Sequence, residues 1–212
     1  MIFYTDKVKK NVPKDITIVA ATKYFTADQM RELYHTGITH FGENRVELLL
    51  EKQEALKDLP ITWHLIGTLQ TKKTKKIINQ INYLHSLDTI KLAQEIDKRR
   101  TSPLNCFVQV NISHEESKHG LDEESIIPFI KEVSQYKNIN IIGLMGMAAY
   151  TDDITIINQA FQKINDIKDT INQTLQLNIQ ELSIGMSNDY LQAIKYNATF
   201  LRLGSVLFRS EN

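Results

Sequence analysis

Lys23 ends the segment IVAATK, directly after a run of small and apolar residues from Ile18 to Ala21. Lysine is seldom buried without a partner, so a lysine where an apolar strand enters a loop points to use. A partly desolvated amine at such a place can attack a carbonyl and form a Schiff base. Towards the C-terminus, GMSNDY places Gly185 and Ser187 ahead of a helix pattern through Leu191 and Ile194. RLGSVLF places Gly204 and Ser205 before a short last segment. Glycine lets backbone N–H groups approach a ligand, and a helix N-terminus favours an anion. Taken together, the two turns make a phosphate cup. A Schiff-base lysine with a phosphate cup fits two chemistries. One is pyridoxal phosphate held at both ends; the other is an aldolase-type enzyme acting on a phosphorylated sugar.

The elements that must position these residues follow from the hydrophobic pattern. Eight short apolar segments recur: 16–22, 38–42, 61–67, 81–87, 105–112, 139–147, 181–186 and 199–205. Most are rich in Ile, Val, Leu or aromatics, as strands are. Helix patterns lie between them. Thr26 is placed as an N-cap, with Met30, Leu33 and Tyr34 on one face, and 156–175 keeps helical spacing for five turns. A further helix is expected before the first strand, over residues 3–11. Strand–helix alternation implies parallel strands with helical crossovers. Eight units fit a single closed (β/α)8 TIM barrel. The rival, a doubly wound open sheet, often carries a glycine-rich fingerprint after its first strand, and TKYFTAD has no glycine. One domain over residues 1–212 is expected. In a barrel the C-terminal strand ends face one mouth. Here that gathers Lys23, Asn44, Met145, Ser187, Arg202, Gly204 and Ser205, and the loops after strands seven and eight are the usual phosphate site.

The segments AATK (20–23), THFGENRVEL (39–48), WHLIGTLQTKK (63–73), SLD (86–88), QVNIS (109–113), ESKHG (116–120), GLMGM (143–147), LSIGMSNDYLQAI (182–194) and LRLGS (201–205) together resemble the pyridoxal-phosphate (PLP) homeostasis proteins of the YggS/PROSC type. The resemblance runs from about Ile16 to Phe208. It implies a barrel similar to the N-terminal domain of alanine racemase, with pyridoxal 5′-phosphate as the cofactor. Lys23 would carry the cofactor, and Ser187 with backbone groups of Gly204 and Ser205 would hold its phosphate. Arg202 would face the pyridine nitrogen, and Asn44 and Met145 would lie near the ring. Arginine is a permanent cation and only donates, which favours an unprotonated, weakly electron-withdrawing ring.

Two-base racemisation needs a second acid/base, supplied in the racemases by a tyrosine of a separate C-terminal domain. The sequence ends at Asn212, and Tyr150, Tyr190 and Tyr196 are not placed for that role. The expectation is an open site that binds, buffers and supplies PLP, with no catalytic residue assigned. A PLP-dependent amino-acid racemase or lyase of low activity is the alternative. Apo-PLP enzymes would be the recipients and the protein a monomer. Asn197 stands where the family often has glycine before the last strand.

Composition narrows the setting. Lys+Arg and Asp+Glu both number 25, so no net charge draws the chain to nucleic acid or membrane. One cysteine, Cys106, fits a reducing compartment and core packing. The charged N-terminus lacks a signal peptide's apolar stretch, and a cytoplasmic location is expected. None of the six histidines shows ligand spacing, so no metal is expected, and His64 reads as a hydrogen-bonded barrel residue. The lysines of 72–76 spread over a solvated face, and Lys118 reads as a surface loop lysine.

Overall fold

The structure is a computed structural model that describes residues 2–113 and 119–209. A short strand β1 (Ile2–Phe3) and helix α1 (Thr5–Asn11) lead into β2 (Thr17–Ala21). The chain then alternates through α2 (Ala27–His35), β3 (His40–Glu43), α3 (Val46–Ala55), β4 (Thr62–Leu65) and α4 (Thr74–Ile77). It continues with β5 (Tyr83–Leu87), α5 (Ile90–Arg99), β6 (Leu104–Gln109), α6 (Glu123–Val133) and β7 (Ile139–Met145). After α7 (Ile154–Leu175) come β8 (Glu181–Ser183), α8 (Tyr190–Lys195), β9 (Phe200–Leu203) and β10 (Phe208–Arg209). Strands β2 to β9 close a parallel barrel, sealed where Thr17 pairs with Phe200 and Val19 with Arg202. These are the eight strands expected from the apolar segments, mostly shorter, with β3 running one residue past its segment and β6 beginning one residue before it.

Side chains alternate across each strand. Leu65, Leu84, Cys106, Leu144, Leu182 and Leu201 face outward into one large core shared with the helices, where Met30, Leu33, Leu49 and Phe161 are fully buried. Val19, Phe107, Met145 and Phe200 form a second cluster, within the barrel. The helices are set by local signals. Thr26 caps α2 reciprocally: its Oγ accepts from the Gln29 N–H at 3.3 Å, and the Gln29 side chain accepts from the Thr26 N–H at 3.0 Å. The long α7 ends at Gln176, which takes a left-handed φ of 52°. Asn197 does the same before β9, with φ 60°. Asparagine tolerates that region better than other side-chain-bearing residues, so it does the work of the family's glycine.

One element was not anticipated. β1 pairs antiparallel with β10, Phe3 opposite Phe208. Phe25 packs edge-on between them, 6.3 Å from the Phe3 ring and 4.5 Å from the Phe208 ring. Two-residue strands carry no period, so nothing in the local sequence announces them. Among the described residues, no helix is long and apolar enough to cross a membrane.

Candidate functional site

The mouth is built from the turns that follow the strands. After β2, the Thr22 N–H donates to the Gly42 carbonyl at 3.0 Å, extending the pairing with β3. The chain then turns, with the Phe25 N–H on the Thr22 carbonyl at 2.8 Å. Lys23 sits on this turn and is exposed, not partly desolvated as its strand-end position suggested. Its Nζ lies 4.6 Å from the centre of the Tyr24 ring, itself 79% exposed. The turn projects past the strand end, so the amine escapes the barrel.

The buried lysine of this corner is Lys52, on α3. Its Nζ donates to the Thr22 carbonyl at 2.6 Å and meets Glu43 Oε1 at 2.5 Å. The Thr22 hydroxyl donates to the same carboxylate oxygen at 2.6 Å. Glu43 is fully buried, and its Oε2 has no partner among the described residues. A buried ion pair persists only when its members are held by further hydrogen bonds. Here those bonds fix the backbone immediately before Lys23. On the neighbouring corner, Asn44 is exposed at the end of β3, and a Cβ at Gly67 would fall 2.3 Å from the Asn44 carbonyl oxygen. Only glycine lets these two turns approach so closely.

Opposite in sequence but adjacent in space lies the cup. Ala20 pairs with Leu203, so the turns carrying Lys23 and Gly204 leave neighbouring strands. The Gly204 N–H donates to Ser187 Oγ at 3.0 Å, and the Val206 N–H to the same oxygen at 3.3 Å. Ser205, between these two donors, is exposed at the start of a 3-10 turn. α8 is too short and begins too late to supply the cup; a loop with Gly185 at φ 87° does so instead. Buried Asp189 accepts from the Met186 N–H at 2.6 Å and closes that loop. Burial raises the Asp189 carboxyl, against the lowering effects of the Met186 N–H and of Arg202.

Arg202, on β9, is buried inside the barrel end. Its Nη1 donates to the Ser183 carbonyl at 2.5 Å and to Ser183 Oγ at 2.7 Å, and its Nη2 to the Gly146 carbonyl at 3.1 Å. Burial lowers its pKa to about 10, with Asp189 raising it, so it stays cationic at neutral pH. Nε makes no hydrogen bond recorded among the described residues. Met145 is buried and packs with Phe107 and Phe200. Thus the structure brings Lys23, Ser187, Gly204 and Arg202 to one end of the barrel, with Asn44 and Ser205 exposed there. Tyr150 is 90% exposed and Tyr190 is buried. Lys118 lies outside the described residues.

Sequence reasoning missed Glu43, Lys52, Ser183 and a line of three imidazoles. His40 Nδ1 lies 2.9 Å from His64 Nε2, His64 Nδ1 lies 2.9 Å from His85 Nε2, and His85 Nδ1 lies 2.8 Å from Ser183 Oγ. For the histidine line, the only advance signal was the placing of His64 in a strand as a hydrogen-bonded residue. A cavity of about 470 Å³ opens at the opposite end of the barrel beside His40, Lys9 and Lys14. It is remote from Lys23 and lacks the cup's converging amides, so the mouth is the candidate site. Among the described residues, no group of three His, Cys, Asp or Glu side chains converges as a metal site.

Burial pushes His64 well below the ordinary imidazole range, with His85 and His40 adding to the effect; burial and then Arg202 do the same to His85. Both rings stay neutral in the folded chain while the unfolded chain takes up protons below pH ~6.5. The unfolded state then binds more protons, so stability falls with acid, approaching about 1.4 kcal/mol per pH unit for each ring. Urea unfolding at pH 7.5, 6.5 and 5.5 is expected to show a slope that steepens below pH ~6.5, with half-buried His40, also lowered by burial, adding to it, and His64→Gln is expected to reduce it. Equal stability at all three pH values would contradict the neutral, buried rings.

The family described as alanine racemase, N-terminal domain, matches residues 5–211. The pyridoxal phosphate homeostasis protein of Aquifex aeolicus is 34% identical over 194 residues, 90% of this chain and 85% of that protein. That of Helicobacter pylori is 37% identical over 199 residues, 92% of this chain and 87% of that protein. Among solved structures, PipY of Synechococcus elongatus with PLP bound superposes with a TM-score of 0.90 at 31% identity, covering 97% of this chain and 98% of that one. Alanine racemase of Clostridium difficile superposes with a TM-score of 0.83 at 12% identity, covering 98% of this chain and 56% of that one, a likeness of fold alone.

Proposed function

The chain belongs to the pyridoxal phosphate homeostasis protein family, and from that premise we propose that it binds pyridoxal 5′-phosphate through Lys23, buffers it and supplies it to apoenzymes. When bound, the cofactor supplies an aldehyde that a primary amine captures reversibly, and an anionic phosphate. Ser187 and the amides of Gly204 and Val206 would hold the phosphate, with Ser205 at the rim. Arg202 would donate from its spare Nε–H to the ring nitrogen. Asn44 would flank the ring, with Met145 packed beneath it.

The carrying observation is the convergence of two amides on one oxygen beside the Lys23 turn. The Ser187 hydroxyl, accepting from both amides, would turn its own hydrogen outward to an anionic oxygen. A Cβ at Gly204 would meet nothing closer than the Ala21 carbonyl oxygen at 3.6 Å, so the protein's own packing leaves that cradle open. Arg202 argues against chemistry that needs a strong electron sink, such as transamination or decarboxylation, because a permanent cation keeps the ring nitrogen unprotonated; it does not separate a carrier from a racemase. The exposed Lys23 supports the carrier reading, since an open amine exchanges its ligand readily and excludes water poorly. We read the chain as one domain, monomeric and cytoplasmic.

Borohydride reduction after incubation with pyridoxal 5′-phosphate, followed by peptide mass mapping, tests the assignment. A pyridoxyl group on the Lys23 peptide is expected. A group found only on other lysines, or none, overturns it. Incubation with D- and L-amino acids is expected to give no turnover beyond that of free cofactor; robust racemisation would replace the carrier reading with the enzyme one.

A further inference from the structure

The interior of a small barrel is filled by side chains from alternate strands, normally apolar ones. This one carries an unbroken polar line instead. It runs from half-buried His40 near the start of β3, through His64 on β4 and His85 on β5, to Ser183 on β8 and Arg202 on β9. The rings are clamped in plane. His64 stacks on Tyr83, centroids 4.5 Å apart and 4° from parallel, and His85 stacks on Phe107 at 4.4 Å. A neutral imidazole has one N–H and one acceptor nitrogen, so each link of such a line holds one proton and has a direction.

The direction follows from the upper end. Arg202 can only donate, and its Nη1 spends a hydrogen on Ser183 Oγ. Ser183 is fully buried, and its hydroxyl has two recorded partners, Arg202 and His85. The hydroxyl proton therefore has one acceptor available, His85 Nδ1. Were Nδ1 to carry the proton, the hydroxyl hydrogen would be buried without a partner, which folded proteins avoid. With Nδ1 accepting, His85 Nε2–H donates to His64 Nδ1, and His64 Nε2–H to His40 Nδ1.

We propose that His85 is a positioning residue for Arg202: by accepting the Ser183 hydroxyl proton it turns that oxygen's lone pair onto the guanidinium, and His64 and His40 hold His85 in the one tautomer that can do so. The consequence for the cofactor rests on the reading that Arg202 faces the pyridine ring. The hydrogen-bond order itself does not. In this arrangement both Nη1 hydrogens are engaged by Ser183 and one Nη2 hydrogen by the Gly146 carbonyl, which fixes the plane of the guanidinium. The histidines neither touch the ligand nor exchange a proton with it. They set the angle of the group that does.

The order can be read in the ligand-free protein. Ring-nitrogen NMR of ¹⁵N-histidine-labelled chain is expected to show His85 and His64 with Nε2 protonated and Nδ1 bare at neutral pH. A protonated His85 Nδ1 overturns the proposal and needs no variant to be seen. Two substitutions then separate positioning from packing. His85→Asn keeps an acceptor at the δ position facing Ser183; His85→Gln keeps a group at the ε position facing His64 and loses the Ser183 contact. Slow solvent exchange of the Arg202 Nη–H groups is expected in His85→Asn and fast exchange in His85→Gln, at matched urea stability. Affinity for pyridoxal 5′-phosphate is expected to be about tenfold lower in His85→Gln than in His85→Asn, the worth of roughly one hydrogen bond. Identical Arg202 exchange in both variants sinks the positioning role. Absence of cofactor binding by the wild-type chain sinks the functional reading instead, and leaves the two NMR measurements to decide the order and the positioning.

Discussion

In Lys23→Ala protein, borohydride reduction is expected to fix no pyridoxyl group at the mouth, and the absorbance of the protein-bound cofactor is expected to vanish after gel filtration. The loss should be complete because, among the described residues, no neighbouring amine can stand in. Lys52 lies closest in the hydrogen-bond network, but its Nζ is committed to the Thr22 carbonyl and to Glu43 and is buried. Lys9 bonds the Thr36 carbonyl and lines the cavity at the far end of the barrel. What remains is the grip on the phosphate by Ser187 and two amides, together with Arg202. Those contacts are worth about 1.5–3 kcal/mol for each hydrogen bond to a charged group, enough for weak, reversible binding. Equilibrium dialysis should therefore still detect cofactor on Lys23→Ala protein, while Ser187→Ala added to it should weaken that residual binding further. Retention of a stable adduct on the single variant would move the covalent site elsewhere.

Lys52→Met is expected to destabilise the fold by about 3–5 kcal/mol, the cost of leaving one member of a buried ion pair unpaired. The carboxylate of Glu43 would keep the Thr22 hydroxyl but lose its counter-ion, and its Oε2 is already without a partner. A loss of that size is a large share of the ~5–15 kcal/mol that holds a typical domain. The double variant Glu43→Gln with Lys52→Met should recover much of it, since replacing both members of a buried pair is often near neutral. Urea midpoints for the two single variants and the double complete the cycle. If Lys52→Met unfolds with the wild-type midpoint, the pair contributes nothing to the fold. The same variants probe function, because the pair holds the Thr22 carbonyl and hydroxyl just before Lys23. The double variant is expected to fold yet to release cofactor faster than wild type.

The fold was largely legible because its signals are local. Runs such as ITIVAAT and NCFVQVNI carry β-branched and aromatic residues, and Thr26 with Gln29 announces the start of α2 by its own capping chemistry. The β1–β10 ribbon was not legible, since its two halves are two residues each and meet from opposite ends of the chain. Within the site, Lys23 and Arg202 were marked by type and place, and the cup by GMSND and LGS. That the Val206 amide donates to Ser187 depends on the 3-10 turn of 205–207, which the sequence does not spell out. Lys52 did leave a trace: it falls three residues after Leu49 and six after Val46, on the face that α3 buries. A cation on an apolar stripe calls for a partner, but only the barrel's closure shows that the partner is Glu43.

The amino-acid sequence by itself determined eight parallel strands, the mouth at their C-terminal ends and the lysine and glycine turns set there, because periodicity and turn chemistry act over a few residues. Only the tertiary structure decided that Lys23 stands in solvent while Lys52 is buried beneath it, and that His40, His64 and His85 join Ser183 and Arg202 in one line. Those relations depend on strand register and barrel stagger, where a shift of one residue turns every inward side chain out.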